Sequence, residues 1–248
     1  MKALSKFLLI PAILLTLSCQ LVSGMGNPLQ GSGNVTTESR PVSEFDSISV
    51  CCSMRLILTQ GDSESLEIEA DDNLLPEIES VVTNGKLIVR FKDSFGGIRL
   101  LNTSPIIVRV SAIQINGVDI SGGGRLDSTG PIQTSGLVLD VSGGSRGLID
   151  NLQAETLSLE MSGGSRMELI GSVADQTISL SGGSNYLAGE LQSQTATLDM
   201  SGGGRATLWV TEILNVDLSG GANASYYGNP MINQSLSGGS HLQSLGEK

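Results

Sequence analysis

Apolar and polar residues alternate in short runs along most of the chain, and from about residue 105 the runs recur at a fixed distance. Val118-Asp119-Ile120 places apolar residues on either side of a polar one. The same frame returns as Leu139-Asp140-Val141, Leu159-Glu160-Met161, Ile178-Ser179-Leu180, Leu198-Asp199-Met200, Val216-Asp217-Leu218 and Gln234-Ser235-Leu236. Alternation with period two predicts a strand with one buried face. Each triplet runs directly into Ser-Gly-Gly, at Ser121, Ser142, Ser162, Ser181, Ser201, Ser219 and Ser237, with intervals of 21, 20, 19, 20, 18 and 18 residues. Four residues after each serine comes Arg125, Arg146, Arg166, Asn185, Arg205, Asn223 or His241, and small or apolar residues follow, as in Leu126, Met167 with Leu169, and Tyr186 with Ala188. A second strand therefore follows each glycine turn.

A unit of about 19 residues holds two or three short strands, and stacking such units pairs each strand with its own copy about 4.8 Å away. The predicted fold is all-β, a single-stranded parallel β-solenoid (β-helix) of about seven coils over 105–245. The paired glycines Gly122 and Gly123, Gly143 and Gly144, Gly163 and Gly164, Gly182 and Gly183, Gly202 and Gly203, Gly220 and Gly221, and Gly238 and Gly239 are expected at one shared corner. There the backbone takes positive φ, and a side chain would strike its copy in the next coil. Propeller blades need about 40 residues each, and leucine-rich repeats a different frame. Calcium-binding nonapeptide coils need a regular aspartate, for which only Asp127 stands near the right place, so no metal and no cofactor is expected.

Residues 34–104 read differently. Alternating runs at Ser47–Val50, Arg55–Thr59, Ser65–Glu69 and Lys86–Phe91, joined by turns such as Thr83-Asn84-Gly85, predict strands, and Asp71–Glu79 holds a helical turn at most. Such a β-rich segment would cap the first coil and shield its open edge. Ahead of it, Lys2 and Lys6 precede the apolar run Phe7–Leu17 and then Ser18-Cys19. That is the order of a secretory signal, and 11 apolar residues are too few to span a bilayer. Thr16-Leu17-Ser18-Cys19 resembles a bacterial lipobox, which implies a signal peptide at 1–18, lipidation at Cys19 and a tether over 19–33, so that the membrane is a partner through the anchor.

Composition narrows the partners. Cleavage before Cys19 leaves 230 residues with a charge of −13, against −11 for the whole chain, which excludes nucleic acid as a partner. Glycine makes up 32 of the 248 residues and aromatics only 3%, consistent with a core of stacked aliphatic columns. Cys51 and Cys52 are adjacent and form no disulfide framework; two buried free thiols are expected, with an intermolecular bridge as the alternative.

Gly31-Ser32-Gly33-Asn34, Glu38-Ser39-Arg40-Pro41-Val42-Ser43, Phe45-Asp46-Ser47-Ile48, Leu58-Thr59-Gln60-Gly61-Asp62 and Glu69-Ala70-Asp71-Asp72-Asn73-Leu74-Leu75 occur in an order that resembles the head GIN domain family. Together with the Ser-Gly-Gly coils the resemblance covers about residues 31–240. It implies a β-solenoid of the kind found in envelope lipoproteins of Bacteroidetes and described as an auto-transporter adhesin head. Cys51-Cys52 departs from the small residues usual there.

No nucleophile elbow, metal-binding histidine pair or phosphate loop is present, and His241 is the single histidine, so no catalytic residue is assigned. The candidate binding stripe pairs an acid before each serine with an arginine after it: Asp119 with Arg125, Asp140 with Arg146, Glu160 with Arg166, and Asp199 with Arg205. It reads either as a ladder of salt bridges across the glycine corner or as a docking stripe for an extended glycan or protein. The leading function is a non-catalytic, adhesin-like binding module, exported and lipid-anchored to the outer membrane. A periplasm-facing structural lipoprotein is second, and a polysaccharide lyase or hydrolase third, since intervals of 18 to 21 leave no room for cleft-forming loops. Ligand identity and oligomeric state are not written in these residues.

Overall fold

The computed structural model describes residues 29–92, 100–101 and 104–248. The expected signal peptide at 1–18, the expected lipidation site Cys19 and the first part of the expected tether lie outside the described residues. The chain before the repeats forms β1 (Leu29–Gln30), β2 (Val35–Arg40), β3 (Ser47–Val50), β4 (Arg55–Gln60), β5 (Ser65–Asp71), a 3-10 turn at Leu75–Glu77, β6 (Ile78–Thr83), β7 (Lys86–Phe91), β8 (Leu100–Leu101) and β9 (Ile107–Ala112). The repeats form β10 (Gly117–Ile120), β11 (Arg125–Thr129), β12 (Ile132–Val141), β13 (Arg146–Met161), β14 (Arg166–Gly182), β15 (Asn185–Gly202), β16 (Arg205–Gly220), β17 (Asn223–Tyr227), β18 (Met231–Leu236) and β19 (His241–Ser244).

These strands build the expected all-β parallel solenoid. β13 to β16 are long because each bends around the corners of one coil and pairs along its length with the next. The first face stacks the apolar–polar–apolar triplets in register, Val118 on Leu139 on Leu159 on Ile178 and onward to Val216. The second face begins after the glycine corner, and the third stacks Ile132 on Leu152 and, further along, Leu191. The seven Ser-Gly-Gly corners bound six full turns, so the repeat region makes about six turns where seven coils were expected.

The columns extend past the first Ser-Gly-Gly. β3 pairs in parallel with β10, and β4 with β11, so that Ile48 and Val50 continue the Val118 and Ile120 columns. Another layer lies beyond, with β7 on β3 and β9 on β4. Antiparallel strands then close this end, β6 against β7, β5 against β9, and β2 against β5. These antiparallel strands are continuous with the sheet they cover.

The core follows from stacking like on like. Val50, Ile120, Val141, Met161, Leu180, Met200 and Leu218 form one buried column, with Ile48, Val118, Leu139, Leu159, Ile178, Leu198 and Val216 beside it. A fully buried aliphatic side chain contributes about 1.5–3 kcal/mol, which explains how the chain dispenses with an aromatic core. One column varies in size, through Leu126, Gly147, Met167, Tyr186, Ala206 and Ala224. Gly147 leaves the space that the Met167 thioether fills. Tyr186 is the one aromatic buried at the centre of the repeats; its hydroxyl donates to Gln176 Oε1 at 2.9 Å, and Gln176 Nε2 donates to Ser193 Oγ at 2.7 Å. Burial raises the Tyr186 phenol far above its ordinary value.

Candidate functional site

The glycine corner fixes the positions of the acid and arginine columns. The first glycine of every pair, from Gly122 to Gly238, has positive φ, and a Cβ on Gly202 would lie 2.6 Å from the Gly182 carbonyl oxygen. The second glycine is freer than expected. Only Gly123 and Gly144 have positive φ among these, and a Cβ on Gly164 or Gly203 would meet nothing within 4 Å. The ladder nevertheless runs through the corner, since Gly183 N–H donates to the Gly163 carbonyl at 2.8 Å and Gly203 N–H to that of Gly182 at 2.8 Å. Where a serine follows the glycines it turns inward and closes the bend. Ser145, Ser165 and Ser184 are buried and donate to the carbonyls of Ser142, Ser162 and Ser181 at 2.7, 2.7 and 2.8 Å.

The acids stand on the outer side of the first face. Asp119, Asp140, Glu160, Ser179, Asp199 and Asp217 succeed one another in register, one coil apart. The arginines form a second ladder on the other side of the corner, Arg55, Arg125, Arg146, Arg166, Asn185, Arg205, Asn223 and His241. Arg55 was missed from sequence because no Ser-Gly-Gly precedes it. Aligning Val50-Cys51-Cys52-Ser53-Met54-Arg55 with Ile120-Ser121-Gly122-Gly123-Gly124-Arg125 would have found it.

The two ladders do not bridge across the corner. Arg125 and Arg55 both bind Asp127, at 2.8 and 2.7 Å, and Arg166 pairs with Glu168 at 3.8 Å. These three arginines thus take the acid two residues along their own strand or its neighbour. Hydrogen bonds from Arg125, with Arg55 in support, hold the Asp127 carboxyl below its ordinary value against the opposing effect of burial. Asp119 receives Lys86 at 2.7 Å from the cap. Among the described residues no ion pair reaches Asp140, Glu160 or Asp199. Burial, and then the carboxylates of Asp119 and Glu160 on either side, raise the Asp140 carboxyl above its usual range.

Along this face Asp140, Glu160 and Asp199 with the serines of the adjacent column, Ser142, Ser162, Ser181 and Ser201, line a shallow open groove of about 420 Å³. Its donors and acceptors repeat about every 4.8 Å. It has no histidine and no thiol, and among the described residues no group of three or more His, Cys, Asp or Glu is placed to hold a metal ion. No helix among them is long and apolar enough to cross a membrane.

Cys51 and Cys52 correct the expectation of free thiols. Their sulfurs are bonded to each other, and both residues are half-buried. The pair occupies the corner position of an eighth repeat, with Cys52 at φ 69° and Ser53 at φ 62° where the next coil has Gly122 at 62° and Gly123 at 80°.

Solved structures share this architecture. A "putative adhesin" from Bacteroides fragilis is similar with a TM-score of 0.80 at 22% identity, over 88% of this chain and 100% of that one. A "putative adhesin" from Parabacteroides merdae reaches 0.71 at 20% identity, over 89% and 100%. A "putative lipid binding protein" from Parabacteroides distasonis reaches 0.72 at 20%, over 88% and 100%. At such identities the likeness shows the fold. No curated protein matches the chain. The sequence model described as "Putative auto-transporter adhesin, head GIN domain" matches residues 44–230, about three quarters of the chain and the whole run from β3 to β17, and the chain belongs to that family.

Proposed function

We propose that this protein is a non-catalytic, adhesin-like binding module of the cell envelope, exported, lipid-anchored to the outer membrane through Cys19, and engaging an extended ligand along the acid–serine groove. The observation that carries the reading is the in-register row of Asp140, Glu160 and Asp199, none of which has an ion-pair partner among the described residues. Three coil steps separate Asp140 from Asp199, about 14 Å of repeating acceptors. A linear glycan or a protein strand with donors at that spacing would meet one acceptor per coil. Membership of an adhesin-like family supports a binding role, and the shallow, open groove suits adhesion better than enclosure of a reacting group.

Protease shaving of intact cells tests the location, with an antibody to the solenoid and a periplasmic protein as leakage control. Digestion keeps the adhesin reading and leads to binding assays on glycans and matrix proteins. There, Asp140→Ser with Glu160→Ser and Asp199→Ser is expected to abolish binding, because serine already occupies this column at Ser179 and leaves the fold intact. Protection in intact cells with digestion after lysis would sink it and leave a periplasm-facing structural lipoprotein. Cleavage of uronic-acid polymers that depends on Arg146 or Arg166 would overturn the non-catalytic assignment.

A further inference from the structure

The two ends of the solenoid are finished differently. At the N-terminal end the outer edges of β7 and β9 are taken, antiparallel, by β6 and β5. At the other end, among the described residues, β18 pairs only with β16 and β19 only with β17. The outward edges of both strands therefore carry backbone donors and acceptors with no strand partner. Every residue from Met231 to Gly239 is exposed. Ile232 and Leu236 continue the columns of Leu214 and Leu218, which are fully buried one coil earlier, yet they are 37% and 41% exposed, and Met231 beside them is 69% exposed.

Sheet edges are ordinarily blunted by charge or by proline within the strand, and this one has neither. From Leu218 to Gly246 there is no Asp, Glu, Lys or Arg, in a chain of net charge −11. Both ladders give up their charge there, the acids passing from Asp217 to Ser235 and the arginines from Arg205 to Asn223 and His241.

We propose that this terminal coil docks a second copy of the chain, end to end about a two-fold axis. Two edge strands flanking a glycine corner around an apolar centre call for a partner with the same features. A single extended peptide would satisfy one edge and leave Ile232 and Leu236 wet. The uncharged end lets like chains approach without the repulsion that their net negative charge imposes elsewhere. The N-terminal end has its β7 and β9 edges filled, and its outermost strands β2 and β6 carry Glu38, Arg40 and Glu79, so it does not present the same uncharged surface; the contact is isologous and closes as a dimer rather than growing into a fibre. A two-fold axis across the solenoid reverses the sense of the chain, so the edges meet as antiparallel strands.

Sedimentation equilibrium of the full chain in density-matched detergent, up to about 100 µM, tests this. Met231→Lys and Leu236→Lys place a charge on the end, and Val138→Lys, at a position 54% exposed on the flank, is the control. The wild type and the control are expected to form dimers, and each end variant to weaken dimerisation by about tenfold or more while keeping its far-UV circular dichroism. Should Leu236→Lys fail to fold, Met231→Lys, at the more exposed position, decides alone. A monomeric wild type, dimers of equal strength in the end variants, or species that grow past the dimer would each overturn the proposal.

Discussion

Ser53 donates its backbone N–H to the carbonyl of Gly122 at 3.0 Å, and that bond seats the Cys51-Cys52 turn directly on the first Ser-Gly-Gly corner. A turn without a single glycine thus does the work of the glycine corner, holding Cys52 and Ser53 at positive φ. Intact-mass analysis after alkylation without reduction is expected to show neither Cys51 nor Cys52 modified. Cys51→Ser with Cys52→Gly recreates the Ser-Gly start of the other corners. Its unfolding free energy from urea melts should stay within about 1 kcal/mol of wild type, because glycine at positive φ offsets the lost cross-link.

The glycine pairs separate by substitution. Gly202 has φ 101° and its Cβ would meet the Gly182 carbonyl, so Gly202→Ala is expected to cost about 2–4 kcal/mol. Gly203 has space around it and no positive φ, so Gly203→Ala should shift stability by less than about 0.5 kcal/mol. Urea unfolding of the two variants side by side checks the difference, and equal losses would refute it.

Asp127 and Asp140 are expected to respond to pH in opposite directions. The carboxyl of Asp127 is lowered, chiefly by its hydrogen bonds from Arg125, so its contribution is full above the unfolded value of about 3.9 and lost as the pH falls through the lower folded value. Asp127→Asn should therefore lower Tm at pH 7 and cease to matter in acid. Asp140 is raised, by burial first and then by Asp119 and Glu160, so its ionised form opposes folding once the pH has risen through the folded value. Asp140→Asn should raise Tm at pH 7 and have no effect near pH 3. Salt should reduce that gain by screening the neighbouring carboxylates.

Tyr186, Gln176 and Ser193 form a buried chain that ends on the Trp209 carbonyl at 3.0 Å. Tyr186→Phe leaves Gln176 Oε1 without this donor, at a cost of about 1–3 kcal/mol. Because the folded phenol titrates far above its unfolded value of about 10, the wild type should lose stability as the pH rises past 10, and Tyr186→Phe should lose less. Paired melts at pH 8 and pH 10.5 measure the difference.

How much of this was legible beforehand depended on whether a feature repeats. Val118-Asp119-Ile120 and its copies revealed strand, face and coil because every coil must repeat the same contacts at one spacing, and stacking writes that demand into the sequence seven times. The inward and outward sides of the first face, the shared glycine corner and the two charged columns all came from that period. What occurs once left no such trace. The β3–β4 layer is written only faintly, because Cys51-Cys52-Ser53-Met54 meets the turn's geometry without the glycines and only the flanking Val50 and Arg55 keep the frame of the later coils. The partners of the arginines were undetermined as well. A spacing of six residues across the corner and of two along the strand are both available in sequence, and only the direction in which the side chains leave the turn decided for Asp127 and Glu168 over Asp119 and Glu160. The sequence by itself determined a solenoid, since periodic burial admits one stacking. Tertiary structure alone decided which charges meet, which glycine of each pair is required, and which strand edges go unpaired among the described residues, because each depends on distances between residues that no local pattern relates.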